Sequence, residues 1–269
     1  MTDWDALRQE LDLWHAQGRR ATIWWRDDDA VRPGPELDRL LGLAGRHRAP
    51  LSLAVIPAHA EADLARRLSE QPDDVPAVAV LQHGYAHRNH EAEDRKKCEL
   101  GAARPVEAVL AELAEGRDRL AALFGARARP ILVPPWNRVA AGLLPALPGL
   151  GFRGLSTYTP RGARHPAPGL LQVNCHLDPI RWKPTRGFLG EDAALGLLRE
   201  HLAARRAGRA DPQEPSGLLT HHAVHDAALW RFLDRLLGTL SGHPSVRLLT
   251  AAAVFDIEQG HEHDVPLSA

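Results

Sequence analysis

Residues 21–30 of the chain read ATIWWRDDDA, an apolar and aromatic run that ends in one arginine, three consecutive aspartates and an alanine. Such a run predicts a buried strand over residues 21–27. Three adjacent carboxylates that emerge from a buried strand repel one another unless a cation or a role as a base absorbs their charge. A solvated acidic loop is the alternative. The carboxyl ends of barrel strands are where active sites collect, so the position favours a functional acid cluster.

Short apolar runs like this one recur along the chain and alternate with longer segments that carry apolar residues at i, i+3 and i+4. Besides 21–27, they predict strands over residues 51–56, 77–82, 130–133, 154–157, 170–173, 217–220 and 246–249. The predicted helices span residues 36–47, 61–69, 105–124, 140–147, 191–206, 227–240 and 251–258. This alternation is typical of βα units with a parallel sheet. It predicts an α/β fold, a single-domain distorted (β/α) barrel of about seven parallel strands.

The length and the net charge of the chain indicate its domain organisation and the kinds of partner it is expected to bind. A chain of 269 residues with 44% hydrophobic content can bury one large core. We expect an amphipathic helix packed on the domain over residues 1–20, a catalytic barrel over 21–260 and a polar tail over 261–269. Thirty-three basic residues against thirty-four acidic ones leave a net charge of −1, so nucleic acid and membrane surfaces are not expected partners. The oligomeric state stays open.

The cysteines and the N-terminal region bear on the cellular compartment. Cys98 and Cys175 lie far apart and outside any CxxC pattern, which indicates neither a disulfide framework nor a thiolate zinc site. Residues 1–17 lack the basic and apolar regions of a signal peptide. No run approaches the roughly 18 apolar residues of a membrane span. We therefore expect a cytoplasmic protein.

Two histidines follow the predicted strand 77–82 in the sequence His83-Gly84-Tyr85-Ala86-His87. At i and i+4 the two imidazoles share one face if the segment turns helically, and together they can bind one divalent ion. An HxxxH by itself is also typical of an exposed helix face or of capping histidines. Its position after a strand favours the metal site. Together with one aspartate it would form a facial triad that suits Zn²⁺, Fe²⁺ or Co²⁺.

Two further segments follow predicted strands. The first, at residues 133–138, reads VPPWNR, and its two prolines fix a rigid turn, which an ordinary loop would also explain. The second, at residues 218–226, reads LLTHHAVHD. One of its imidazoles could protonate a leaving group, because the pKa of a free histidine lies near neutral pH. A structural, hydrogen-bonded role is the alternative for each single histidine.

The order of these four motifs resembles that of the NodB-type polysaccharide deacetylases, carbohydrate esterase family 4, over about residues 21–226. In this resemblance Asp28-Asp29-Ala30 is similar to the family's Asp-Asp-Gly, which implies Asp28 as the general base and Asp29 as a metal ligand. The HxxxH implies His83 and His87 as the other two ligands. The metal implied is divalent, Zn²⁺ first, with Co²⁺, Fe²⁺ or Ni²⁺ as alternatives.

The last two motifs complete the resemblance. Leu219-Thr220-His221 resembles the family's LxH, which implies His221 as the general acid. The proline-rich segment resembles a motif that lines the substrate groove, which implies substrate contacts for Pro134, Pro135, Trp136, Asn137 and Arg138.

Several positions depart from the family pattern. Val133 stands where the family has an arginine that orients the base, and Arg26 or Arg138 could replace it. The triplet also allows Asp27 as the base and Asp28 as the ligand. His176, Asp178 and Trp182 only approximate the acid and the tryptophan that accompany the catalytic histidine. The residues expected to support the site are Asp27, Arg26, His222, Asp178 and Trp182.

The resulting functional prediction is a metal-dependent hydrolase that removes an acetyl group from an N-acetylated sugar or glycan precursor. Three alternatives stay open. One is a non-catalytic glycan-binding or regulatory protein on the same barrel, for which Val133 is the best argument. Another is a deacetylase-like amidase whose substrate is not a sugar, such as a cyclic imide or an acylated polyamine. The third, a barrel hydrolase of another superfamily, would typically carry HxH after its first strand, where this sequence has none.

Overall fold

The computed structural model describes residues 2–71, 78–184 and 186–255. Its strands are β1 (Ala21–Ala30), β2 (Ser52–Val55), β3 (Ala79–His83), β4 (Ala128–Val133), β5 (Gly154–Leu155), β6 (Leu171–Gln172), β7 (Ile180–Arg181), β8 (Gly187–Phe188), β9 (Ser216–Thr220) and β10 (Val246–Leu249). Its α-helices are α1 (Asp3–Ala16), α2 (Pro35–Arg46), α3 (Ala62–Ser69), α4 (Val106–Phe124), α5 (Glu191–Arg206), α6 (Ala227–Ser241) and α7 (Ala251–Phe255).

Strand β1 organises the sheet because it is paired along both edges. One edge pairs with β10 through Ala21–Trp24 and then with β2 from Arg26 onward, while the other edge pairs with β9. The sheet continues through β3, β4, β5 and β6, and every pairing in it is parallel. Beyond β6, isolated parallel bridges join Cys175 to Tyr158 and Leu177 to Leu218, which curls the sheet back toward β9. The predicted α/β fold with a distorted parallel barrel is confirmed.

The interior of the curled sheet is filled by side chains. The rings of Trp24 and Phe255 meet edge to face at 5.6 Å, so that α7 closes the end of the barrel where the strands begin. Two glycines allow this packing. A Cβ at Gly154 would lie 2.6 Å from the Phe255 ring, and one at Gly217 would lie 2.5 Å from the carbonyl oxygen of Asn174. The packed interior leaves the carboxyl ends of the strands as the place for a site.

Helices cover the outside of the sheet. Helix α1 buries Trp4, Leu7, Leu11 and Trp14, and the Trp4 indole N–H donates to Glu191 of α5 at 2.7 Å. The predicted division into a helix over 1–20 and a barrel over 21–260 stays a prediction, and the tail 261–269 lies outside the described residues. Within the described part of the chain, no helix is long and apolar enough to cross a membrane.

Two elements differ from the sequence-based expectation. Residues 140–147 were predicted as an α-helix, but Ala141–Leu150 forms a 3-10 helix. Pro145 and Pro148 lie inside it, and a proline removes an N–H donor and clashes with the preceding α-helical turn. The antiparallel hairpin of β7 and β8 was not predicted, since each of its strands has only two residues.

Candidate active site

The three predicted metal ligands come together at the carboxyl ends of β1 and β3. Oδ1 of Asp29 lies 3.1 Å from Nε2 of His83 and 3.3 Å from Nε2 of His87. Asp29 and His87 both adopt left-handed backbone conformations, with φ of 71° and 53°. The HxxxH segment is therefore a loop rather than the helical turn considered from the sequence. The loop nevertheless brings both imidazoles to the same carboxylate.

These three side chains fit a divalent ion. Nδ1 of His83 donates to the carbonyl oxygen of Val133 at 3.0 Å, so Nε2, which lies beside Asp29, is the ring nitrogen that remains for a metal. Oδ1 of Asp29 is buried and accepts no hydrogen bond from the described residues. Ligand atoms about 2.0–2.2 Å from a tetrahedral ion lie about 3.3–3.5 Å apart, close to the separations found here. The donor set, one carboxylate and two imidazoles, is one that zinc and similar metals accept.

Burial and charge act in opposite directions at this carboxylate. Burial disfavours the charged form of Asp29, but without a metal the interaction with the neighbouring His83 imidazole outweighs burial. The pKa of the Asp29 carboxyl therefore lies well below its usual value. Burial similarly lowers the pKa of His87, and the neighbouring His83 lowers it further. An anionic carboxylate beside a neutral His87 is the state that binds a metal.

Asp28 faces the barrel interior, where it pairs with Arg26 from the same strand. Nε of Arg26 lies 2.8 Å from Oδ1 of Asp28, and Nη2 donates to Oδ2 at 3.0 Å. The guanidinium is fully buried and also donates to Ser156 Oγ at 2.6 Å and to Asn137 Oδ1 at 2.7 Å. Burial lowers the pKa of Arg26, but Asp28 more than offsets this, so the net pKa is raised. The Asp28 carboxylate is thereby held in one orientation.

The Arg26–Asp28 pair bears on which arginine replaces the one that is absent at position 133. Val133 is fully buried among the apolar side chains inside the barrel. Of the two predicted substitutes, Arg26 contacts Asp28, whereas Arg138 donates to the carbonyl oxygen of Lys97. Residues two apart on a strand face the same side, so Arg26 reaches Asp28 from within β1.

Asp27 faces the opposite side of β1 and does not join the site. It is fully buried, and its carboxylate accepts from Thr220 Oγ1 at 2.6 Å and contacts His222 Nδ1 at 2.5 Å. Burial raises the pKa of Asp27, but His222 outweighs it, and the net pKa is lowered. The alternative of Asp27 as base and Asp28 as ligand does not fit, because the imidazoles of His83 and His87 surround Asp29 instead.

His221 lies on the same side of the barrel, close enough to Asp29 for its charge to lower the pKa of that carboxyl. The Trp182 ring meets the His221 ring edge-on at 4.6 Å, and the indole N–H donates to Asp178 at 2.7 Å. Burial raises the pKa of Asp178. Asp178 and Trp182 thus accompany His221 as expected from the sequence. His176 does not, since it packs against His201.

The five residues predicted to bind substrate all make contacts within the protein. Pro135 packs against Gly84, and the Trp136 ring lies 4.3 Å from the His87 ring. Asn137 binds Arg26, as described above, and its N–H donates to the carbonyl oxygen of Pro134 at 2.9 Å. The segment therefore packs against the loop that carries His87 and against the Arg26–Asp28 pair. Its contact with substrate stays a prediction.

Sequence reasoning missed two residues that shape the site. Ser156, which follows β5, is a buried acceptor for Arg26. Glu99 is buried beneath the loop that carries His87 and accepts hydrogen bonds from its backbone. Neither residue belongs to a motif or to a periodic pattern, so no signal in a single sequence distinguishes it from other polar residues.

A second cluster, His176, His201 and Glu214, lies near the start of β9, at the opposite end of that strand from His221. The two rings stack at 3.4 Å with an 11° angle, so their in-plane lone pairs run parallel and do not converge on one ion. Nδ1 of His176 accepts from the N–H of Gly217 at 3.0 Å, so the neutral ring carries its hydrogen on Nε2. The arrangement does not fit a metal. It is a buried, stacked pair of rings, in which Nδ1 of His176 bonds to Gly217 and Nδ1 of His201 bonds to Ser216.

The barrel with its polar cluster at the carboxyl ends of the strands has the NodB-like fold of the polysaccharide deacetylases. No protein-family model and no curated protein sequence matches the chain. Several solved structures match the chain in their fold. A candidate polysaccharide deacetylase from Mycobacterium smegmatis matches with a TM-score of 0.63 and 15% identity over 89% of this chain and 90% of that one.

Two further structures with this fold carry bound groups. A family 4 carbohydrate esterase from Streptomyces lividans in complex with acetate has a TM-score of 0.53 and 16% identity over 84% of this chain and 90% of its own. A family 4 acetyl xylan esterase from Clostridium thermocellum in complex with a cobalt ion has a TM-score of 0.51 and 13% identity over 88% and 91%. At these identities the similarity establishes the fold.

Removing the buried guanidinium should cost far more stability than removing an exposed one. We expect Arg26→Met to lower the free energy of unfolding by about 3–5 kcal/mol, because Asp28 is left buried without its cation. Arg46→Met is the matched control, since the Arg46–Asp234 pair at 2.9 Å is exposed and should contribute less than about 1 kcal/mol. Urea unfolding of both variants measures the difference. Equal losses would show that the Arg26–Asp28 pair does not hold the barrel interior.

The stacked histidines predict a pH dependence of stability. Burial, and then the neighbouring His176 and Arg205, lower the pKa of His201 to about 2. Below about pH 6.5 the unfolded chain binds a proton at this residue that the folded chain does not, so the free energy of unfolding falls as the pH falls.

We expect His201→Asn, which can keep the hydrogen bond to Ser216, to remove about 1.4 kcal/mol per pH unit from the slope between pH 6 and pH 4. Urea unfolding of both proteins at several pH values tests this. Parallel curves for the two proteins would contradict a neutral buried His201.

Proposed function

We propose that the protein is a metal-dependent hydrolase that removes an acetyl group from an N-acetylated sugar or glycan precursor. The observation that carries the proposal is the arrangement at the ends of β1, β3 and β9. One carboxylate, Asp29, faces two imidazoles, the adjacent Asp28 is fixed by a buried arginine, and His221 lies on the same side. This arrangement supports Asp29 as the metal-binding carboxylate and Asp28 as the base.

Asp29, His83 and His87 would hold the ion, Zn²⁺ first, with Co²⁺, Fe²⁺ or Ni²⁺ as alternatives. When bound, the metal supplies polarisation of the amide carbonyl and activation of water. The cobalt ion in the Clostridium thermocellum esterase supports a metal in this fold. In this chain the hydrogen bond from His83 to Val133 fixes the tautomer that leaves Nε2 free for the ion.

Asp28 acts as the general base, accepting a proton from the water that attacks the acetyl carbon. Its two oxygens contact Arg26, so the carboxylate is oriented before substrate binds. Preorganised geometry of this kind is what general base catalysis requires. Because Arg26 is fixed in turn by Ser156 and Asn137, the orientation of the base depends on three different segments of the chain.

His221 acts as the general acid that protonates the nitrogen of the departing amine. Trp182 packs edge-on against the His221 ring, and Asp178 fixes the indole through its N–H. These contacts hold the imidazole in place without occupying both ring nitrogens. No covalent intermediate is needed, because water attacks the acetyl carbon directly.

The arrangement also bears on the alternatives. A non-catalytic binding protein was favoured by Val133, but Arg26 supplies the buried guanidinium from β1, which removes that argument. The choice between a sugar and another amide rests on resemblance, and the family 4 esterase with bound acetate supports the acetyl group. We place the small-molecule or glycan substrate above the site, near the partly exposed Trp136 and Trp182.

The roles of Asp28 and Asp29 can be separated by experiment. We expect Asp28→Asn to bind one metal ion per chain but to lose about 10²–10⁴-fold in kcat, because the base is removed and the ligands stay. Asp29→Asn should lose the metal. Asp63→Asn, at an exposed position on α3, is the control and should resemble wild type. Metal content and turnover of a panel of N-acetylated sugars are measured for all four proteins.

Two results would contradict the proposal. Turnover by Asp28→Asn at the wild-type rate would remove Asp28 as the base. Hydrolysis of a cyclic imide or an acylated polyamine, with no turnover of any N-acetylated sugar, would overturn the sugar substrate and keep the hydrolase.

A further inference from the structure

The Glu99 side chain is almost fully buried, with 1% of its surface exposed, and lies beneath the loop that connects His83 to His87. Its carboxylate accepts three backbone hydrogen bonds from that loop. Oε2 accepts from the N–H of Tyr85 at 3.1 Å, while Oε1 accepts from Ala86 at 2.7 Å and from Arg88 at 3.3 Å. The three N–H groups belong to residues on both sides of His87.

The loop needs such support because part of its backbone has an unfavourable conformation. Gly84 and His87 both have left-handed conformations, with φ of 54° and 53°. For a residue with a Cβ this conformation costs about 1–2 kcal/mol, and it persists only where the surroundings fix it. At His87 the surroundings include Glu99 below the backbone and the Trp136 ring, which lies 4.3 Å from the imidazole.

Gly84 and Glu99 fit each other closely. A Cβ built at Gly84 would lie 2.0 Å from Oε2 of Glu99 and 2.6 Å from the Pro135 ring. Any side chain at position 84 would therefore displace either the carboxylate or Pro135. The glycine inside the HxxxH segment is needed for the close approach of Glu99 as well as for its φ.

We propose that Glu99 is a positioning residue for the metal site: its carboxylate holds the 84–88 backbone so that His87 presents Nε2 to the same point as Asp29 and His83. This inference rests on the proposed function in one respect, namely that these three residues bind the ion. The hydrogen bonds of Glu99 go to the loop backbone, and its negative charge adds to the attraction for a cation at His87.

Glu99→Gln tests the inference because it changes little in shape. A glutamine offers one acceptor oxygen and one NH₂ donor, so in either orientation at least one loop N–H loses its acceptor and faces a donor. We expect the dissociation constant for Zn²⁺ to rise about 10–100-fold, as is typical when a group that orients metal ligands is removed. At saturating Zn²⁺ kcat should recover substantially, since the base and the acid are untouched.

Glu115→Gln is the matched control. Glu115 contacts the same loop, but through the hydroxyl of Tyr85, which donates to Oε1 at 2.6 Å on the exposed side. The backbone hydrogen bonds of the loop do not involve Glu115. The Zn²⁺ affinity of Glu115→Gln should therefore stay within about twofold of wild type, a much smaller change than the one expected for Glu99→Gln. Calorimetric titration of the metal-free proteins gives the affinities, and Co²⁺ absorption spectra report the ligand geometry.

Urea unfolding in the presence of a metal chelator shows whether the metal-free Glu99→Gln variant is folded. If it does not fold, amide hydrogen exchange of the metal-free wild type provides the test, because the N–H groups of Ala86 and Arg88 should be protected despite their surface loop.

The outcomes separate the inference from the proposed function. Equal Zn²⁺ affinity of Glu99→Gln and wild type, or unprotected amides at 86 and 88, would overturn the role of Glu99. If wild type itself binds no stoichiometric metal, the proposed function fails instead. If wild type and Glu115→Gln bind Zn²⁺ tightly and Glu99→Gln binds it more weakly, the result supports both the role of Glu99 and the metal site of the proposed function.

Discussion

Three adjacent carboxylates can lie at the end of one strand because the backbone directs each of them to a different side of that strand. Asp27 faces outward and contacts His222, Asp28 faces the barrel interior and pairs with Arg26, and Asp29 turns left-handed toward the two imidazoles. Each carboxylate thus has its own imidazole or guanidinium partner, which offsets both burial and mutual repulsion. The pairing along β1 with β2, β9 and β10 fixes this separation, so the site follows from the sheet.

The same geometry explains how the chain does without an arginine at position 133. The space inside the barrel near Asp28 can be filled from any strand whose side chains face inward. Here Arg26 fills it from β1, two residues before Asp28, and its remaining N–H groups reach Ser156 and Asn137 on neighbouring segments. A buried guanidinium with several acceptors is a stable arrangement, whereas the same charge with fewer partners would not be. In this chain the buried cation that contacts Asp28 therefore comes from the same strand, β1.

Strand runs and the residues that follow them predicted the parallel barrel and placed the aspartate triplet and the HxxxH at the ends of strands. The choice of Asp29 within the triplet came from the resemblance to the deacetylase family. The sequence left open whether Arg26 or Arg138 meets Asp28, since that depends on which side chains face inward. It did not predict Glu99 or Ser156, because their partners lie in other segments and leave no local pattern. The helical stretch predicted over 140–147 forms a 3-10 helix rather than an α-helix because it contains two prolines. Long-range contacts, rather than local propensity, limited the prediction of the site.

The central claim is that Asp29, His83 and His87 bind the metal while Asp28 stays free of it as a base. Anomalous diffraction from crystals loaded with Co²⁺ or Zn²⁺ tests this most directly. We predict one strong peak about 2.0–2.2 Å from a carboxylate oxygen of Asp29 and from Nε2 of both histidines, with Asp28 still paired to Arg26. A peak bound by Asp28 or Asp27, or by His176 and His201 instead, would contradict the account.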